Sequence, residues 1–325
     1  MNIAFAGFRH SHIFGLYKEA ISDKRVTVLG SFEENDDARN DAKRLLNANF
    51  CYKKYQEILD DCRVDAVAIG DYYGKRGSMI IEALEHGKHI ICDKPICTDI
   101  SELREIERLC REKNLALVCM LDLRYMPQTE CVRELISNGK IGKVINVSFT
   151  GQHCLDYGTR PSWYFEEGCH GGTVNDIAVH GVDLVRYITG KNLKKPIAVV
   201  EKNAYAEKEP NFKDCAHFIA DMDGVTLMAD VSYSAPKCCE VLPTYWDFTI
   251  FGIDGMIKFN YASPNILIYK NNVEKIECAP RKIAHLDDLI FRMKNGEESL
   301  SKTLDMIESQ RQTLKIQGFG KSQLK

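Results

Sequence analysis

Apolar and polar positions follow two different rhythms along this chain. Up to about residue 120, short apolar runs rich in β-branched residues alternate with stretches whose apolar positions recur every three or four residues. The runs NIAFAG, VTVLGSF, VDAVAIG, HIIC and ALVCM read as strands. The intervening SHIFGLYKEAIS, DDARNDAKRLLN, MIIEALEHG and SELREIERLCREK read as amphipathic helices. Strands with almost no polar residue are buried on both faces, as in a parallel sheet covered by helices. The series therefore predicts an α/β, doubly wound domain over residues 1–122. From about residue 140, strand follows strand: KVINVSFTG, IAVVEKNAYA, CAHFIADM, VTLMADVSY, YWDFTIFG, GMIKFN and NILIYK. Asp223-Gly224 and Asp254-Gly255 are hairpin dipeptides. This half predicts an α+β domain over residues 123–325 with a large, mainly antiparallel open sheet. Two helical stretches, HLDDLIFRMKN and SLSKTLDMIESQRQTLKIQ, close the chain, and the polar tail GFGKSQLK is expected to fray.

Composition narrows the partners. The 325 residues are 45% apolar, enough for two cores. The 43 basic and 46 acidic side chains are interleaved, for a net charge of −3, so no basic field exists to attract nucleic acid or an anionic membrane. Small ligands are expected instead. No apolar run approaches the ~20 residues of a membrane span, and MNIAFAGFRH lacks the basic start and apolar core of a secretory signal. A cytoplasmic location is expected. The 13 cysteines are odd in number and lie mostly in apolar runs, without a C-x-x-C pair or zinc-finger spacing. They read as reduced thiols, and no metal is expected.

The first βα turn is where a dinucleotide diphosphate meets the N–H groups of a helix terminus. Here Gly7-Phe8-Arg9-His10-Ser11-His12 keeps only the first glycine of G-x-G-x-x-G, so either Arg9 or His10 replaces lost backbone contacts with charge or the turn is an ordinary one. Glu33 closes the second strand, where a carboxylate would bond a ribose 2′-hydroxyl and repel a phosphate. That favours NAD over NADP, without excluding NADP; the competing account is a solvated charge opening the next helix. Lys94 follows the strand HIIC and precedes Pro95, so it leaves the carboxyl edge of the sheet in an extended conformation. In GGTVNDIAVHGVDLVRY, Thr173 and Asp176 have capping-box spacing, while Asp176, His180, Asp183 and Tyr187 form a polar stripe opposite an apolar face. His153, His170 and His180 raise a metal reading that their spacing does not support.

EALEHGKHIICDKPI, LDLRYMPQTECVRELISNGKIGKV, RPSWYFEEGCHGGTVNDIAVHGVDLVRYITG and TIFGIDGMIKFN together resemble the glucose–fructose oxidoreductase, inositol dehydrogenase and rhizopine-catabolism (Gfo/Idh/MocA) oxidoreductases. The resemblance covers nearly the whole chain. Asp93 stands at that family's glutamate, and IGDYYGKRG replaces a segment that usually reads T-P-x-x-x-H, with Asp71 on the cofactor side and Arg76 at the histidine's place. The resemblance implies that Lys94, Asp176 and His180 converge beside the nicotinamide of NAD, and that the substrate is a sugar, inositol or related polyol. His180 would take the hydroxyl proton, Lys94 would stabilise the oxygen's developing charge, and Asp176 would orient substrate or imidazole. Arg160, Trp163 and Tyr164 are further substrate-side candidates. The resemblance also implies a homodimer or homotetramer through the C-terminal sheet. Two other functions fit the same scaffold: a non-catalytic NAD(P)- or sugar-binding sensor, and an NAD-assisted glycoside hydrolase.

Overall fold

The computed structural model describes residues 1–239, 246–279 and 285–323. It divides into two compact units, Met1–Met120 with Ala284–Gln310, and Leu121–Ile283 with Arg311–Lys325. The sequence pattern assigns the whole C-terminal part to the second domain, whereas residues 284–310 group with the first unit.

In the first unit, β1 (Asn2–Ala6), α1 (His12–Ser22), β2 (Thr27–Phe32), α2 (Asp36–Leu46), α3 (Tyr55–Asp60), β3 (Ala66–Ile69), α4 (Tyr73–Glu85), β4 (His89–Cys92), α5 (Ile100–Lys113) and β5 (Leu117–Cys119) alternate as expected. The strands form a parallel sheet in the order β2-β1-β3-β4-β5. Caps fix the helix ends: Asn35 accepts the Ala38 N–H, Asp99 accepts those of Ser101 and Glu102, and Asn47 and Asn114 end their helices in the left-handed conformation. The chain leaves β1 towards β2 and returns to β3 on the other side, so the carboxyl ends of β1 and β3 flank the switch point where open α/β sheets bind ligands. Beyond the second unit, α8 (His285–Lys294) and the first part of α9 (Gly296–Gln323) close the β5 edge. Arg292 donates to the Leu117 carbonyl (2.8 Å), and Thr303 accepts the Leu117 N–H (3.2 Å). An edge strand left bare would otherwise expose these groups.

The second unit opens with α6 (Pro127–Ser137) and β6 (Val144–Gln152), continues through α7 (Val179–Thr189), and then runs β7 (Lys195–Lys202), β8 (Cys215–Met222), β9 (Val225–Ser232), β10 (Trp246–Gly252), β11 (Gly255–Asn260), β12 (Asn265–Tyr269) and β13 (Val273–Glu277). The eight strands pair in the order β13-β12-β11-β10-β6-β9-β8-β7. Every pairing is antiparallel except β6 with β9. Side-chain alternation puts Val147, Phe149, Phe218, Leu227, Val231, Phe248 and Ile250 on the buried face. Gly181 of α7 packs there against Phe149, where an added Cβ would stand 2.3 Å from the ring.

Three details depart from expectation, and one falls outside the described residues. VEKIE forms β13, an edge strand whose charges hide its alternation. Asp223 and Gly224 both take positive φ, as a tight hairpin requires, but Gly252 pairs with Gly255, so Ile253-Asp254 rather than Asp254-Gly255 makes the other turn. Tyr245, placed at the start of YWDFTIFG, lies outside the described residues. The tail does not fray through Gln323, because α9 packs on β7: a Cβ on Gly320 would meet Val199 at 2.8 Å.

The contact at Gly181 sets a prediction. Gly181→Ala should lower stability by about 1–3 kcal/mol through overpacking against Phe149, although alanine is the better helix former. Gly15→Ala, in α1 with nothing within 4 Å, should instead be neutral or stabilising. Urea titration of both variants reads the contrast.

Candidate active site

In the first unit the β1–α1 turn is built around one glycine. Gly7 has φ +82°, and a Cβ there would lie 2.5 Å from the Asp71 backbone nitrogen, so glycine is required where the ends of β1 and β3 approach. Phe8 turns into the core against Phe5, Phe14, Tyr17 and Phe50. Its N–H donates to Glu33 (2.5 Å), whose other oxygen accepts the Asn35 N–H (2.7 Å). Burial pushes the Glu33 carboxyl up, and the nearby Asp71 adds to the shift. Glu33 is therefore a buried carboxylate at the end of β2, not a solvated charge. Asp71 is buried too, accepts the Tyr72 N–H (2.8 Å) and lies 3.3 Å from the Lys75 ammonium. Arg9 extends over the Tyr72 ring, 5.5 Å from its centroid, and Ser11 is exposed at the start of α1 without a side-chain cap. A turn that requires glycine at Gly7, a helix N-terminus and a buried acid at the end of β2 fit a dinucleotide, with Arg9 and His12 in the two other glycine positions.

Asp93, at the end of β4, joins this turn to Lys94. The carboxylate is fully buried and bonds His10 Nδ1, His12 Nδ1 (3.1 Å) and the Arg76 guanidinium (3.2 Å). Burial alone would raise its pKa; His10, Arg76 and His12 outweigh that and hold it well below the ordinary carboxylate range. Burial also drives the His10 imidazole down to about 4, against the pull of Asp93. Arg76, with no solvent exposure, additionally donates to the carbonyls of Asp71 (2.7 Å), Lys94 and Pro95 (3.2 Å). The arginine at the histidine's place thus fixes the main chain at Lys94 and Pro95 and ties it to the Asp93 carboxylate. Lys94 itself is 2% exposed, with its ammonium 5.8 Å from the Tyr73 ring centroid.

In the second unit, Gly171 and Gly172 take φ +83° and +112°, and Gly172 leaves room only for the Gln317 amide. The expected Thr173 cap does not form. Thr173 is already helical, its hydroxyl donates to the Lys213 carbonyl, and Val174–Ala178 form a wide π-helical turn before α7. Such turns place side chains at angles a regular helix cannot. The Asp176 carboxylate accepts a short hydrogen bond from Tyr233 and lies 3.3 Å from His170 Nε2, which is itself 2.9 Å from the Tyr233 hydroxyl. Burial and Asp176 push the Tyr233 phenol well above its usual range, so it stays a donor. His180 is buried edge-on to Trp246, at 5.7 Å. The rest of the polar stripe is structural: Asp183 takes a forked pair of bonds from Arg124 (2.7 and 2.5 Å), and Tyr187 donates to Glu130 (2.6 Å).

The substrate-side candidates cluster with these groups. Trp163 and Tyr164 are buried 4.1 Å apart, and Tyr164 lies 5.2 Å from the His170 ring. Arg160 stacks over Tyr164 and Tyr233 while donating to the carbonyls of Leu155 (2.6 Å) and Cys154. A cavity of about 360 Å³ opens beside His170, Gly171, Glu166, Glu201 and Lys213. Trp246, which opens β10, and Tyr233, one residue beyond the end of β9, escape the sequence reading because each falls in a strand-like run, where an aromatic residue is the common occupant.

The model described as the oxidoreductase family with an NAD-binding Rossmann fold matches residues 2–120, and that of the GFO/IDH/MocA C-terminal domain matches residues 129–258. The chain belongs to the Gfo/Idh/MocA oxidoreductase family. Among similar curated proteins, levoglucosan dehydrogenase of Pseudarthrobacter phenanthrenivorans is 29% identical over 49% of this chain and 42% of its own length. Myo-inositol 2-dehydrogenase of Thermotoga maritima is 24% identical over 50% of this chain and 47% of its own. The matched segment spans somewhat under half the length of these relatives. A solved structure of an oxidoreductase from Erwinia carotovora atroseptica SCRI1043 superposes with a TM-score of 0.85 at 20% identity over 98% of both chains, which shows a shared fold. Among the described residues, no helix is long and apolar enough to cross a membrane.

Arg76 gives the test of this framework. Arg76→Met leaves Asp93 with one buried cation fewer and should cost about 3–5 kcal/mol in urea-induced unfolding. A loss below 1 kcal/mol would show that Arg76 does not hold the Lys94 segment.

Proposed function

We propose that this protein is an NAD-dependent dehydrogenase or reductase acting on a hydroxyl or carbonyl of a sugar, inositol or related polyol. The observation that carries the reading is Lys94: a buried ammonium at the carboxyl edge of a parallel sheet, in a unit that matches the NAD-binding family model. The buried carboxylate of Glu33 supports NAD over NADP, because a 2′-phosphate would meet like charge. Bound NAD supplies the hydride acceptor in oxidation and the donor in reduction.

The chain's own residues handle the proton and the charge. Loss of hydride from a carbinol requires loss of the hydroxyl proton at about the same time, and His180 takes it. Lys94 donates a hydrogen bond to the same oxygen and stabilises its negative charge. Asp176, held by Tyr233 and His170, orients substrate hydroxyls, with Arg160, Trp163 and Tyr164 as the supporting wall. In reduction the proton and hydride run the other way.

A second copy of the chain is the partner in this reading, docked through the open face of the eight-stranded sheet to give a dimer or tetramer. That face carries a cross-strand row of Ala198, Ile219 and Met228, with Val200 on the next row. Val200 is 59% exposed and Ile219 and Met228 each 39%, beside a hollow of about 440 Å³. A contiguous apolar patch of this kind ordinarily marks an interface. Cytoplasmic residence belongs to the same reading.

Purified protein with NAD and a panel of sugars and inositols should form NADH. His180→Ala should lower kcat by about 100-fold or more while NAD binding by calorimetry stays unchanged; full turnover in that variant rejects the assigned role. Nucleotide binding with no NADH formation favours the sensor, and glycoside cleavage without net reduction favours the hydrolase. Light scattering should give a dimer or tetramer, and Val200→Lys with Met228→Lys should give a monomer.

A further inference from the structure

Two histidines of the β1–α1 turn and the carboxylate that ends β4 meet in one place. His10 Nδ1 and His12 Nδ1 address opposite oxygens of Asp93, and the three candidate donor atoms all lie within 4.8 Å of one another. We propose that His10, His12 and Asp93 form a binding site for a first-row divalent cation, of which zinc is the type.

Four features of the cluster suit a cation. The His12 Nδ1 to Asp93 separation of 3.1 Å is close to that of two donors sharing one ion with bonds of about 2.0–2.2 Å. Two imidazoles and a carboxylate select borderline metals such as Zn²⁺, Co²⁺ or Fe²⁺ over Mg²⁺ and Ca²⁺, which prefer oxygen alone. Both imidazoles already turn Nδ1 towards the carboxylate, so the three candidate donors converge on one point from two separate elements, the β1–α1 turn and the end of β4. Exposure also grades outward, from a fully buried Asp93 and a 9% exposed His10 side chain to a His12 side chain 37% exposed, which gives the ion an entry from solvent.

The second shell is present as well. Arg76 bonds the Asp93 oxygen that faces His10 and fixes its orientation, while the His10 ring packs on Tyr73 at 5.4 Å. The guanidinium charge opposes a dication, so the affinity should be moderate. On binding, each imidazole presents Nδ1 to the ion and carries its proton on Nε2, and no other group changes charge. Three protein donors leave coordination positions open, as in sites that exchange ligands. The competing account is a metal-free hydrogen-bonded cluster that fastens the turn to β4.

Chelator-treated full-length protein, free of nucleotide, is titrated with Co²⁺ and followed by its visible absorption, then with Zn²⁺ in competition. The site predicts one equivalent of Co²⁺ per chain, displaced by Zn²⁺. His12→Ala and Asp93→Asn should each weaken binding by about 100-fold or more. His217→Ala, which removes an exposed imidazole 3.2 Å from Asp230, should leave it unchanged. Absence of saturable binding, binding that survives His12→Ala, or binding lost in His217→Ala overturns the proposal. If Asp93→Asn does not fold, the half-exposed His12 decides alone. Because no nucleotide is present, failure here leaves the dehydrogenase reading untouched.

Discussion

A single buried carboxylate organises the first unit. Asp93 gathers His10 and His12 from the turn after β1 and Arg76 from α4, and Arg76 in turn holds the carbonyls of Asp71, Lys94 and Pro95. A charge in a low-dielectric interior is stable only when paired and hydrogen-bonded, so these side chains are mutually obligatory. The consequence is geometric: the turn, the switch point and the main chain carrying Lys94 are locked together. The missing glycines of the turn then cease to be mere erosion. His10 occupies an ordinary turn position, while His12 takes the third glycine's place and sends its ring to Asp93, where a smaller residue would make no such bond.

The second unit solves a similar problem with different groups. Asp176 is buried among aromatic rings, and the Tyr233 hydroxyl and His170 Nε2 both address its Oδ2. The wide turn at Val174–Ala178 and the two glycines before it set the direction of the carboxylate. A carboxylate held by fixed donors keeps its orientation without reorganising, which is what the role we propose for it, orienting a substrate hydroxyl, requires.

Much of this was legible in the residues. Runs such as AVAI and HIIC can be buried on both faces only in a parallel sheet, so the first unit follows from its pattern. Strand alternation in VTLMADVS and CAHFIADM likewise fixes the second. Lys94, Asp176 and His180 stand out in the sequence as ionisable groups beside a strand end or on a helix, and the roles given them are proposals. What escaped was non-local. Nothing within GFRHSH says that two rings will turn to a carboxylate more than 80 positions away, and nothing in VSYS says that Tyr233 will bond Asp176. The Thr173 cap failed because its hydroxyl found the Lys213 carbonyl instead, a tertiary partner overriding a local one. VEKIE was hidden by edge charges, and the polar C-terminal tail was held helical by packing that composition does not express.

The proposed reaction is direct hydride exchange between a polyol carbon and NAD. It is tested by supplying a polyol or sugar deuterated at its carbinol carbons and measuring the mass of the recovered cofactor. The account predicts reduced cofactor carrying one deuterium and a carbonyl product that has lost it. Reduced cofactor without deuterium, or product retaining the label at the oxidised carbon, would contradict it.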